Sequence, residues 1–324
     1  MSSQPAAQLT GRRILVTGGS GFIGRHVVSD LLDAGAYVRV VDLQAHPDPD
    51  VEIVRGDIAE QDVLDAALEG GFDGIVHLAA VTSVLRSVEH PELTFRTNVA
   101  ATSALLESGR AAGATAVVFA STNAVTGPME APAITEAAAL RPLTPYGATK
   151  AAGEMLMSAY TASYGLRCAV MRLTNVYGPG MQAKDSIVAR LMRAIRLGRT
   201  FEIYGDGRQV RDYVHAADVT AAVRLGLSRE DWAGPIVVGS GRSLSVLEVV
   251  DAVRSVTGAE LDVRHGPARA GEMPAVIVDP SRARALGWAP RFTLEEGLVG
   301  VWDEWSRVDL EAVAAGVGAV GAPR

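Results

Sequence analysis

The chain nearly lacks lysine and cysteine. Among its 30 basic residues only Lys150 and Lys184 are lysine; the others are arginine. Arginine stays charged and presents a planar fork, whereas an ammonium is a compact point charge whose pKa shifts readily. Each lysine is therefore a place to look for chemistry that arginine cannot supply. Cys168 is the single cysteine, which excludes an internal disulfide. Its apolar run, Cys168-Ala169-Val170-Met171, predicts a buried and inert thiol. The six histidines, at 26, 46, 77, 90, 215 and 265, show no ligand spacing, so no metal site is expected. No apolar run approaches the length of a membrane span, and residues 1–8 are polar. The expectation is a cytoplasmic protein with no membrane partner. A net charge of -7 opposes broad binding to nucleic acid.

What is present fits a globular protein. The 324 residues are 48% hydrophobic and 21% charged, enough for a sizeable core in one large or two modest domains. Short β-branched runs at Arg13–Thr17, Tyr37–Asp42, Val51–Val54, Gly74–Leu78, Ala116–Ala120 and Arg167–Leu173 read as strands. Helical patterns at Phe22–Ala34, Glu60–Leu68, Thr94–Ala112 and Pro145–Tyr164 alternate with them. This alternation predicts an α/β, Rossmann-type doubly wound parallel sheet over residues 1–174. After Asn175 the rhythm breaks, which predicts a smaller C-terminal substrate-binding lobe over 175–311, with about 213–240 returning to the sheet domain. Residues 312–324, rich in Ala, Gly and Val, are expected to be a flexible tail.

Two motifs carry chemistry. Thr17-Gly18-Gly19-Ser20-Gly21-Phe22-Ile23-Gly24 follows the first strand and opens a helix. There glycines permit a tight turn and close approach to a pyrophosphate, with the helix N-terminus supplying N–H groups. A bare Gly-x-x-Gly-x-x-Gly is weak evidence; its position makes it strong. Asp42 ends the second strand, where a carboxylate accepts adenosine ribose hydroxyls and repels a 2′-phosphate. Leu43 and Gln44 place no cation beside it, so NAD is expected over NADP. Asp57, after the third strand, is a candidate adenine contact or else a turn residue. The second motif is Tyr146-Gly147-Ala148-Thr149-Lys150, with Tyr and Lys at i and i+4 on one helix face. Such a spacing arises by chance roughly 0.04 times in a chain with 7 tyrosines and 2 lysines, so it is far more specific than the glycines. A phenol is a poor base at neutral pH, but a nearby ammonium and a positively charged nicotinamide favour its phenolate. Lys184, in a polar loop beside Asp185, reads as solvated.

With these residues the chain resembles the extended short-chain dehydrogenase/reductases, in particular the NAD-dependent nucleotide-sugar epimerase/dehydratase family and its UDP-glucose 4-epimerase-like members. The likeness runs from about Arg12 to Val301. It is carried by His77-Leu78-Ala79-Ala80, Asn98-Val99-Ala100-Ala101-Thr102, Tyr146 to Lys150, Arg172 to Pro179 and Tyr204 to Tyr213. The resemblance implies a catalytic trio of Thr122, Tyr146 and Lys150. It implies NAD held by the loop residues Gly18, Gly21, Phe22, Ile23 and Gly24, and by the strand-end residues Asp42, Leu43, Asp57 and Ile58. Leu78, Ala79, Ala80, Asn98, Ser121 and Val176 complete that site with Tyr146 and Lys150. For the nucleotide-diphosphate sugar it implies Asn175, Val188, Tyr204 and Glu272, with Arg211 and Arg269 clamping the diphosphate, beside Thr122 and Tyr146. The family usually has Val-Tyr-Gly where this chain has Val125-Thr126-Gly127, which alters the sugar pocket. A homodimer formed through the helices at 94–112 and 145–164 is also implied, with Ala151, Met155 and Ala159 as candidate contacts.

In this family a tyrosinate takes the proton of a sugar hydroxyl while hydride passes to NAD. Relatives that eliminate water resemble this chain but carry Asp-Glu after the Ser/Thr, and decarboxylating relatives keep a glutamate nearby. Here those positions are Asn123 and Ala124, neither of which transfers a proton near neutral pH. The resemblance therefore implies C4 epimerisation through a transient 4-keto sugar. The alternatives are an NAD(H)-dependent keto-sugar reductase or dehydrogenase and, from another class, a catalytically lapsed NAD-binding sensor.

Overall fold

A computed structural model describes residues 9–268 and 275–309. Arg269, Glu272 and the segment from 312 lie outside the described residues. The first six strands are β1 (Arg13–Thr17), β2 (Tyr37–Asp42), β3 (Glu52–Arg55), β4 (Gly74–His77), β5 (Ala116–Thr122) and β6 (Arg167–Leu173). They are followed by β7 (Asn175–Tyr177), β8 (Phe201–Tyr204), β9 (Val210–His215), β10 (Gly234–Val238), β11 (Ser243–Ser245) and β12 (Val263–Gly266). The helices are α1 (Phe22–Asp33), α2 (Gln61–Leu68), α3 (Val84–Glu89), α4 (Pro91–Phe95), α5 (Ala101–Ala111) and α6 (Pro145–Tyr164). Beyond them come α7 (Ile187–Arg196), α8 (Ala216–Ser228), α9 (Val246–Thr257), α10 (Ser281–Ala285) and α11 (Leu294–Arg307).

Seven strands form one sheet in the order β10-β6-β5-β4-β1-β2-β3, every pairing parallel. Side-chain alternation explains why both faces are covered. In β1, Ile14 and Val16 point into a core shared with α1 and α8, whereas Leu15 points into one shared with α2, α5 and α6. In β6, Ala169 and Met171 join the first core, and Cys168 and Val170 join the second. The strand order reverses at β1, with β2 and β3 added on one side and β4 to β6 on the other, so the loops leaving the carboxyl ends of β1 and β4 part there and open a crevice.

α6 begins where the sequence places it. Thr144 caps it by accepting from the Gly147 N–H at 3.2 Å, Pro145 fills its first position, and Gly165 ends it in a left-handed conformation. The helix expected over 94–112 differs. It is observed as α4, one π-helical turn over Arg96–Ala100, and α5. π-turns occur frequently at functional positions, and this one carries Asn98. A smaller lobe contains the β11-β9-β7 sheet, the β8-β12 pair and helices α7, α9 and α11. Its core includes Tyr177, Leu191, Phe201, Val249 and Trp305. Between these parts the chain runs back to the large sheet through α8 and β10. Among the described residues no helix is long and apolar enough to cross a membrane.

Candidate active site

The loop between β1 and α1 is built so that side chains would not fit. Gly18 adopts φ +71°, and a Cβ there would lie 2.7 Å from the Ala79 nitrogen at the end of β4. A Cβ on Gly24 would lie 2.1 Å from the Gly18 carbonyl oxygen, so this glycine lets α1 seat directly on the loop. The first N–H groups of α1, at Phe22, Ile23 and Gly24, have no acceptor within the helix. Gly21 is the N-cap and offers no side chain to them. The result is a bare, donor-rich cradle at the positive end of a helix dipole, which suits a dinucleotide pyrophosphate. Asp42 stands beside it at the end of β2, accepting from the Ser20 N–H at 3.0 Å and the Gln44 N–H at 2.9 Å. Leu43 is exposed and Ile58 buried. Asp57 accepts from the Ala59 N–H at 3.0 Å and faces Arg96 at 3.5 Å.

The end of β4 is fixed by a buried chain of hydrogen bonds whose direction can be derived. Thr102 Oγ1 donates to the Asn98 carbonyl at 2.7 Å, so it accepts from His77 Nε2 at 2.8 Å. His77 Nδ1 therefore accepts from Thr17 Oγ1 at 2.7 Å, and Thr17 Oγ1 accepts from the Ala79 N–H at 3.2 Å. Burial, aided by the Lys150 charge, pushes the His77 pKa down to about 3 and keeps the ring neutral. This relay holds Leu78, Ala79 and Ala80 against the glycine loop. Asn98 continues it: its side chain accepts from the Val81 N–H at 2.8 Å and donates to Thr149 Oγ1 at 3.0 Å, on α6.

At the end of β5, Thr122 meets the Tyr146 phenol. Burial raises the phenol pKa, and its hydrogen bond with Thr122 pulls in the other direction. Lys150 lies one turn further along α6, buried, with Nζ donating to the Ala120 carbonyl at 2.8 Å and 4.7 Å from the Phe119 ring centre. Among the described residues no carboxylate acts on it, and burial lowers its pKa to about 7. Thr126, in place of the family tyrosine, is buried and donates to the Asn123 carbonyl at 2.9 Å. It thus closes the turn after β5 and leaves no phenol there.

Spacing extends the α6 face beyond the motif to Glu154, four residues past Lys150. Glu154 accepts from Ser121 Oγ at 2.5 Å and pairs with Arg172 at 2.9 Å, both side chains buried. Arg172 also donates to the Thr135 and Glu136 carbonyls at 3.3 and 3.1 Å. The sequence signal was present, since Tyr146, Lys150 and Glu154 share one helical repeat.

The remaining residues lie on the second lobe's side. Asn175 donates to the Asp212 carbonyl at 2.9 Å, and Val176 is half-buried beside it in β7. Val188 is buried in α7, packed in the lobe's core. Tyr204 ends β8 under the Arg190 guanidinium at 5.6 Å, and Arg211 on β9 donates to the Val210 carbonyl at 2.8 Å. Lys184 is not the solvated residue its loop suggested. It is half-buried with Nζ 6.0 Å from the centre of the Phe22 ring, because the loop folds back over α1. Cys168 is buried, with its thiol pushed up to about 11.

A parallel sheet, a glycine cradle at its switch point and a Tyr–Lys pair on a neighbouring helix fit a dinucleotide-dependent α/β enzyme. Residues 14–239 match the NAD dependent epimerase/dehydratase family, and the chain belongs to that family. A UDP-glucose 4-epimerase of Streptomyces lividans is 36% identical over 301 residues, covering 86% of this chain and 91% of the relative. A dTDP-glucose 4,6-dehydratase of Streptomyces niveus is 35% identical over 314 residues, covering 91% and 93%. The crystal structure of the Thermus thermophilus UDP-glucose 4-epimerase in complex with NAD superposes with a TM-score of 0.86 at 35% identity. The match covers 92% of this chain and 100% of that one.

Proposed function

We propose that the protein interconverts nucleotide-diphosphate sugars that differ at C4, of the UDP-glucose and UDP-galactose kind, with bound NAD. The observation that carries this reading is the economy of the site. Tyr146 and Thr122 form its proton-transfer pair, while the positions that follow Thr122 hold Asn123 and Ala124. Asn123 Oδ1 accepts from Thr122 at 3.3 Å, and the Ala124 N–H donates to Thr122 at 3.2 Å, so both orient the hydroxyl and neither moves a proton. A second acid–base group, as elimination requires, is not supplied by this turn. The relatives named as epimerases support the same choice.

In this reading the cradle of Gly18, Gly21, Phe22, Ile23 and Gly24 holds the dinucleotide phosphates, and Asp42 holds the adenosine ribose. NAD supplies a hydride acceptor that returns the same hydride. Thr122 orients the sugar hydroxyl, and Tyr146 takes its proton, holds it while the 4-keto sugar turns in the pocket to present its opposite face, and gives it back. Lys150 adds positive charge behind Tyr146, favouring the phenolate. Purified protein is expected to interconvert the C4 epimers without added reductant. Strict dependence on added NADH with stoichiometric oxidation would establish a reductase instead. Tyr146→Phe is expected to abolish turnover while NAD binding persists; a wild type inert toward every nucleotide sugar but still binding NAD would indicate a sensor.

A homodimer is part of the same proposal. The charged residues of α6, Lys150 and Glu154, are both buried. Its outer face is uncharged, with Met155 66% exposed and Ala159 exposed, whereas Ala151 is inside the core. Sedimentation is expected to show a dimer that Met155→Glu disperses.

A further inference from the structure

Lys184 is only half-exposed, and among the described residues its ammonium meets the Phe22 ring but no hydrogen-bond acceptor or carboxylate. It lies in the loop between β7 and α7, its N–H on the Met181 carbonyl at 2.9 Å and its own carbonyl accepting from Arg193 at 3.2 Å. The same loop is tied to α1 by two further bonds. Arg25 donates to the Gly180 carbonyl at 2.9 Å, and His26 Nε2 donates to the Pro179 carbonyl at 2.7 Å. The fold therefore places Lys184 over the first turn of α1, next to Phe22. Among the described residues Nζ makes no hydrogen bond and no ion pair, and desolvation lowers its pKa with no carboxylate opposing. An ammonium withdrawn from water without an acceptor costs free energy that an arriving anion offsets.

We propose that Lys184 is a contact to the diphosphate bound at the first turn of α1, specifically the pyrophosphate of the dinucleotide. The inference rests on the dinucleotide site proposed above. It adds a residue from the opposite side of the crevice, so that the helix N–H groups and an ammonium close on one anion. A nucleotide sugar also carries a diphosphate. The residues expected to hold that one, Arg211 and Tyr204, stand on β9 and β8, whereas Lys184 is against Phe22 of the cradle itself. The loop bonds give this contact a structural consequence: a dinucleotide would tie the β7–α7 connection to α1.

The test is titration of NAD and, separately, of UDP into the full-length wild type, Lys184→Gln and Lys184→Arg after bound nucleotide is removed. NAD affinity is expected to fall about tenfold or more in Lys184→Gln and to stay within about threefold in Lys184→Arg. UDP affinity is expected to be unchanged in both. Unchanged NAD affinity in Lys184→Gln overturns the proposal, as does a loss confined to UDP, which would assign the ammonium to the nucleotide sugar. Failure of the wild type to bind NAD would overturn the dinucleotide reading itself. Melting of the ligand-free variants separates a lost contact from a lost fold. Removing an unpaired ammonium is expected to leave the melting temperature at or above that of the wild type.

Discussion

Lys150 and Arg172 are buried cations beneath the same crevice, and they are treated in opposite ways. Arg172 and Glu154 are each 4% exposed and pair at 2.9 Å, with Ser121 and two backbone carbonyls taking up the remaining donors and acceptors. Lys150 is 3% exposed and has, among the described residues, one carbonyl and the face of the Phe119 ring. A fully bonded pair braces α6 against β5 and β6, and nothing about it invites a ligand. A cation left with a neutral acceptor and a pKa near 7 is a strained arrangement. Such strain persists where the charge has a later use, and perturbed groups cluster at functional sites. The difference separates what holds the site together from what the site works with, although both cations stand on the same layer of the fold.

The comparison can be broken by removing each cation in turn. Arg172→Met leaves the Glu154 carboxylate buried without its partner, and breaking a buried pair from one side costs about 3–5 kcal/mol. Denaturant unfolding is expected to show that loss, with activity falling only as the folded fraction falls. Lys150→Met removes a charge that already lacked a counterion. Its stability is expected to match or exceed that of the wild type, while kcat drops about a hundredfold, or about 2.7 kcal/mol of barrier. If Lys150→Met unfolds as readily as Arg172→Met, the two cations have the same role and the distinction fails.

Much of this layout was legible in the sequence, for reasons that also mark where legibility ended. The first six strands and α1 and α6 are local patterns, some with clear start and stop signals, such as Thr144-Pro145 and Gly165. The cradle glycines and the Tyr146–Lys150 spacing are short-range as well. The π-turn at 96–100 was not legible, because its helical periodicity differs by a single residue per turn and Asn98 reaches partners at Val81 and Thr149 that are distant in sequence. Nor was the position of Lys184, whose neighbour Phe22 lies far away along the chain. A solvated loop and a loop folded over a helix have the same polar composition.

The finest division between the two cations is by pH. An arginine stays charged throughout the accessible range, whereas Lys150 titrates within it. Its pKa is about 7 when folded and ordinarily 10.5, so between these values the unfolded chain binds the extra proton. Stability of the cofactor-free protein therefore rises with pH across that window, by at most about 1.4 kcal/mol per pH unit from this group. Below pH 7 both states carry the charge, and the full cost of burying it is present. Denaturation of wild type and Lys150→Met from pH 6 to 10 isolates the effect, since other titrations are common to both. The stability advantage of the variant should be largest at pH 6 and shrink steadily above pH 7. A gap that stays constant with pH would mean that Lys150 keeps its proton when buried, and so is stabilised by its surroundings much as Arg172 is.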